Sequence, residues 1–141
     1  LVLTLVTSFM GFLFAAPGAV YIQGYADTER NGKISMAGPI VNIFLAAISA
    51  VAIAFLVQGA TLGDTAMVVM TGTEYMLFLV FSMLLSLNAF LAVFNLIPFP
   101  PLDGSKILPW NKVVWVLMFA VAIIELVFYF VYMPDMVRVI Y

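Results

Sequence analysis

Long apolar runs separated by short polar breaks set the pattern of this chain, and the runs have membrane length. Residues 1–15 are apolar and uncharged, but they fall short of the roughly 20 residues a spanning helix needs. They predict a partial helix, which Pro17-Gly18 stops. Residues 37–57 carry no charge and predict a first full transmembrane helix. Residues 74–96 predict a second and residues 113–133 a third, with Glu125 deep inside it. Between the partial helix and the first full span, Val20, Ile22 and Ile34 mix with aromatics around a polar turn at Asn31-Gly32. Residues 16–36 therefore predict a β-hairpin, with a solvated loop as the alternative. Residues 58–73, with Gly59, Gly63, Asp64 and Gly72, predict a loop.

The polar positions inside the spans are few. Asn42 stands one turn into the first full helix, behind Ala37-Gly38-Pro39. Pro39 suits a first turn, where its missing N–H is not needed. An interhelical hydrogen bond is the simplest reading of Asn42. Asn88 and Asn95 lie seven residues apart on the second helix and so share a face, which predicts that this face meets protein rather than lipid. Glu125 is costly at mid-membrane and predicts a partner or a cavity, or a protonated or hydrogen-bonded packing role.

Composition makes the class firm. The chain has 141 residues, 66% of them hydrophobic and 9% charged, with mean hydropathy +1.22. Soluble domains carry about 25% charged residues, so the expected fold class is an all-α polytopic membrane protein. It would comprise three full spans, a partial N-terminal helix and a short β-hairpin, within a single membrane domain without repeats. A net charge of −2 gives no footprint for nucleic acid. The absence of cysteine excludes disulfides and thiolate ligands, and the chain also has no histidine. Arg30 and Lys33 lie in the predicted hairpin, Lys106 and Lys112 follow the second span, and residues 58–73 have no basic residue. Two spans separate the basic segments, so both are expected on the cytoplasmic face, with Arg138 a weak exception.

The break at residues 97–112 is the most informative stretch. Asn95-Leu-Ile-Pro-Phe-Pro-Pro-Leu-Asp-Gly-Ser105 places three prolines and then Asp103 at the end of an apolar helix. Prolines remove donors and forbid a regular helix, and irregular backbone at a membrane survives only inside protein or beside water. Asp103 could cap a short following helix, or it could offer an oxygen ligand to a metal. Both readings stand on the residues alone.

Asn95-Leu-Ile-Pro-Phe-Pro-Pro-Leu-Asp-Gly104 resembles the NxxPxxPLDG signature of the site-2 protease family of intramembrane zinc metalloproteases. Ala37-Gly-Pro-Ile-Val-Asn42 resembles that family's GPxxN motif, and Pro17-Gly-Ala-Val20 resembles the segment that precedes a hairpin, particularly in archaeal members. The resemblance implies that Asp103 is a zinc ligand and that Asn42 and Asn95 contact an unwound substrate strand. It implies that the hairpin meets the substrate, and that the substrate is a transmembrane helix of a membrane-bound precursor, cleaved within the bilayer. The family's other zinc ligands and its general base sit in a HExxH helix, which this chain lacks. No catalytic residue is therefore expected here. The chain, opening at Leu1, reads as a C-terminal piece of such an enzyme, inactive and without bound zinc by itself, though zinc would belong to the parent. Lacking that helix, it is expected to self-associate or rearrange. Two other classes remain open: a transporter or channel piece, since carriers also build ion sites from broken helices, and a non-catalytic membrane scaffold.

Overall fold

The computed structural model describes residues 27–59, 61–62 and 68–136. These form α1 (Thr28–Ser35), α2 (Ala37–Gly59), β1 (Thr61–Leu62), β2 (Val68–Val69), α3 (Gly72–Leu96), α4 (Gly104–Trp110) and α5 (Lys112–Met136). The partial helix expected at 1–15 and the first arm of the expected hairpin lie outside the described residues. Helices α2, α3 and α5 are each long and apolar enough to cross a membrane. The 23 residues of α2 extend about 35 Å at ~1.5 Å per residue, enough for a hydrocarbon core of about 30 Å. Three helices long and apolar enough to span thus form, as the expected fold class requires.

The expected β-hairpin is not found. Where its turn and second arm were placed, Thr28–Ser35 is helical. Two local forces favour the helix: Glu29 sits in its first turn, where the helix dipole favours an acid, and pairs with Lys33 one turn on. Asn31-Gly32, a hairpin signal in isolation, serves another purpose. A Cβ on Gly32 would lie 2.5 Å from Trp110 Cβ, so the missing side chain lets α1 press directly on α4. Met36 keeps helical backbone angles and links α1 to α2, its N–H donating to Gly32 O and its carbonyl accepting from Ile40 N. The only strand pairing among the described residues is the two-residue antiparallel β1–β2 pair, inside the segment expected to be a loop.

Helix α3 is the centre of the bundle, packing against α2 on one side and α5 on the other. Its start is held by a capping box, in which Thr71 and Glu74 satisfy each other's backbone N–H groups. Along α3, Phe78, Ser82, Leu85, Asn88, Ala89, Ala92 and Leu96 are buried, the shared face expected from the Asn88–Asn95 spacing. Small residues at the contacts, Ala46, Ala89, Ala92 and Ala122, are fully buried and allow close backbone approach. The outer faces carry the large apolar side chains, among them Phe44, Phe55, Val113 and Phe130. That distribution suits a solvent of lipid tails. The inward polar groups bond to their own helices: Ser49 Oγ donates to Leu45 O over 2.7 Å, Ser82 Oγ to Phe78 O over 2.7 Å, and Asn88 Nδ2 to Leu84 O over 2.8 Å.

The α1–α4 contact also fixes which segments share an end. It places Arg30 and Lys33 at the same end of the bundle as Lys106 and Lys112.

Gly32→Ala tests that contact directly. Alanine gains about 1 kcal/mol of helix propensity over glycine, but overpacking against Trp110 costs about 1–3 kcal/mol. Net destabilisation in a detergent unfolding titration is expected, and a stabilised variant would show that α1 does not rest on Trp110.

Candidate functional site

The prolines shape the loop by deciding which donors remain. Leu96 ends α3, and its carbonyl would ordinarily receive the N–H of residue 100, which is proline. The three non-proline residues between 97 and 102 each use their N–H in a tight local turn: Ile97 N donates to Phe94 O, Phe99 N to Ile97 O and Leu102 N to Phe99 O. None of these reaches Leu96. Its carbonyl is met instead from α5, where Trp115 Nε1 donates to it over 2.8 Å. The Trp115 ring stacks on Phe119, with centroids 5.2 Å apart.

Gly104 rests on the same point. A Cβ there would lie 2.1 Å from Leu96 O and 2.6 Å from Ile97 O, so no side chain fits. The loop expected at 97–112 thus contains a short helix, α4, seated by Gly104 on the end of α3 and covered by α1. Helix α5 restarts at once, with Asn111 Oδ1 accepting from Val113 N at 3.0 Å and Val114 N at 3.1 Å. Ala92, Leu96, Ile107, Met118 and Ala122 form the apolar cluster beneath this end.

Asp103 sits at the front of α4, yet its side chain makes no capping bond and its backbone is already helical. The capping role that its position suggests is therefore not the one it adopts, because a residue with helical angles does not turn its carboxylate back onto the first N–H groups. The half-buried carboxylate lies 3.5 Å from Lys106 Nζ through Oδ1. Its Oδ2 faces the first turn of α2, where a Cβ built on Gly38 would stand 3.7 Å away. Two segments 65 residues apart in sequence, at Gly38 and Asp103, thus meet. Asn42, half-buried, is one turn further along α2 from Gly38. Asn95, also half-buried, occupies the last turn of α3 next to Leu96. Neither amide makes a side-chain hydrogen bond to another described residue, so the interhelical bond expected of Asn42 is not formed among them.

As a metal donor, Asp103 supplies a single carboxylate. No group of three or more His, Cys, Asp or Glu side chains is brought together among the described residues. Zinc centres take three or four protein ligands, so Asp103 fits as one ligand of a set and does not make a centre alone. Glu125 is remote from it, about 20 Å along α5 from Lys112 at ~1.5 Å per residue. Its Oε2 is buried without a hydrogen-bond partner. Trp115 and Asn111 escaped the sequence reading. A tryptophan at a helix start reads as an interfacial anchor, and only the fold shows which carbonyl it meets.

The chain is 36% identical, over 124 residues and 87% of its length, to a Methanocaldococcus jannaschii protein named "Putative zinc metalloprotease". It spans about half the length of that relative, 55%. This similarity bears out the resemblance carried by the three motifs. No family model matches the chain, and no solved structure matches it.

Gly104→Ala should be among the most disruptive single-methyl changes in the chain. The carbonyl it strikes is backbone and cannot rotate away, so a loss of about 1–3 kcal/mol is expected. A melting point within error of wild type would mean that α4 is not seated on Leu96.

Proposed function

We propose that this chain forms the C-terminal part of the membrane core of a site-2-protease-like zinc metalloprotease, which cleaves transmembrane segments of membrane-bound precursors. The observation that carries this reading is the meeting of Asp103 with the Gly38 turn. An acidic side chain free of capping duty faces the opening turn of the helix that bears Asn42, and both lie in motifs that resemble the family's. The similarity to a protein named as a zinc metalloprotease supports the same reaction class. Zinc, when bound, would supply a water activated as a hydroxide nucleophile near neutral pH.

The residues of this chain have three tasks in that reading. Asp103 lends one carboxylate oxygen to a metal whose other ligands lie outside this chain. The half-buried amides of Asn42 and Asn95 stand at the same end of the bundle and offer donors and acceptors to an extended strand. Such groups matter because a helical peptide bond is shielded inside the bilayer, so a substrate must unwind and its freed backbone groups must be satisfied. The proline-broken loop provides non-helical backbone beside that end, where water can enter. The basic residues at this end support a cytoplasmic orientation for it.

The test uses the intact protein that contains this chain. Purified protein is expected to hold about one zinc per chain and to cut a detergent-solubilised single-span test helix. Asp103→Asn should abolish both, while the melting point changes by no more than about 1 kcal/mol equivalent, because its partly exposed ion pair with Lys106 contributes little. Full zinc occupancy in Asp103→Asn would sink the ligand assignment.

A further inference from the structure

We infer that Trp115 is a positioning residue for Asp103, acting through the main-chain end of α3. The inference rests, for its consequence at a metal, on the reading of Asp103 as a ligand. Its geometry stands without that reading. The Trp115 Nε1–H reaches the Leu96 carbonyl at 2.8 Å, and the sequence has stripped that carbonyl of its local donors. Residues 100 and 101 are prolines, and the N–H of Phe99 is spent on Ile97 O. The indole of a different helix is thus what holds this oxygen in place.

The same oxygen is the floor on which the Asp103 segment stands. Gly104 is packed against it so closely that a Cβ would sit 2.1 Å away, and Asp103 is the preceding residue. Holding Leu96 O fixes Gly104, Gly104 fixes the first turn of α4, and that turn aims Asp103 Oδ2 at Gly38. Removing the indole donor leaves a buried carbonyl that must find water or another donor, and either response shifts the floor. Trp115 touches neither Asp103 nor a reacting atom. Its effect on them is carried by backbone.

Spin-label distances read this directly, because the chain contains no cysteine. Labels on Ile40→Cys and Phe99→Cys, both exposed in the wild type, report the separation between the opening turn of α2 and the loop. A narrow distance distribution is expected. It should broaden or shift in Trp115→Phe, which keeps an aromatic for Phe119 but lacks the donor. It should stay narrow in Phe119→Leu, which disturbs the same stack and leaves Leu96 O alone. Should phenylalanine lower the folded yield, the benzothienyl analogue of Trp115 exchanges N–H for sulfur in the same outline and gives the same comparison. A distribution that Trp115→Phe leaves unchanged overturns the inference.

Zinc affinity of the intact protein separates this inference from the functional reading. Loss of a group bonded directly to a metal ligand weakens binding by about 10–100-fold. Trp115 acts one step further away, so Trp115→Phe should lower affinity by about tenfold, the low end of that range, and Phe119→Leu should not. If Asp103→Asn loses zinc while Trp115→Phe binds it like wild type, Trp115 does not position Asp103. If neither variant alters zinc binding but the loop distances still broaden in Trp115→Phe, the metal reading fails and the control of the loop by Trp115 stands.

Discussion

A backbone carbonyl at the end of a buried helix must find a donor, and around Leu96 three prolines have removed the usual ones. An unmet buried carbonyl costs about 1–3 kcal/mol, a sizeable share of any single domain's stability. The remaining N–H groups of the loop are consumed in successive tight turns, so relief comes across the bundle, from Trp115. That bond adds a polar tie to the apolar packing of α5 on α3. It places Gly104 hard against the same oxygen, and α4 follows with α1 laid over it through the Gly32–Trp110 contact. The geometry at Asp103 descends from this one requirement.

The rest of the bundle follows from the membrane as solvent. Apolar side chains gain nothing by facing inward when lipid is as apolar as they are, so Phe44, Phe55 and Phe130 point out. Close helix approach depends instead on alanines at the contacts. The inward hydroxyls and the Asn88 amide return to carbonyls of their own helix. Glu125 departs from that rule, with Oε2 buried and unbonded.

Asp103 departs from it in another way. A carboxylate at the front of a short helix ordinarily folds back to cap it. Here the residue already has helical angles, so its carboxylate is turned away from the orphan N–H groups and toward Gly38 and Lys106. A Cβ on Gly38 would stand 3.7 Å from Oδ2, an ordinary contact, so this approach does not itself require a glycine in the opening turn. Asn42, one turn later, and Asn95, beside the Leu96 anchor, stand at the same end with amides not engaged by other described residues.

What the sequence determined by itself was whatever depends on local or one-dimensional physics. Three spans were legible because an apolar, almost uncharged run of membrane length has only one low-energy state in lipid. The buried face of α3 was legible from the seven-residue spacing of Asn88 and Asn95, and the broken helix from prolines that cannot donate. The shared end of the two basic segments followed from counting the spans between them. Local signals failed where a contact distant in sequence outweighed them. Asn31-Gly32 looked like a hairpin turn, but the glycine's value lies in the room it makes for Trp110, 78 positions away. Asp103 looked like a cap until its backbone proved helical. Trp115 carried no local signal of its bond, because the Leu96 carbonyl it meets lies on another helix. In each case the deciding partner sits on another helix, and only the tertiary structure brings it within reach.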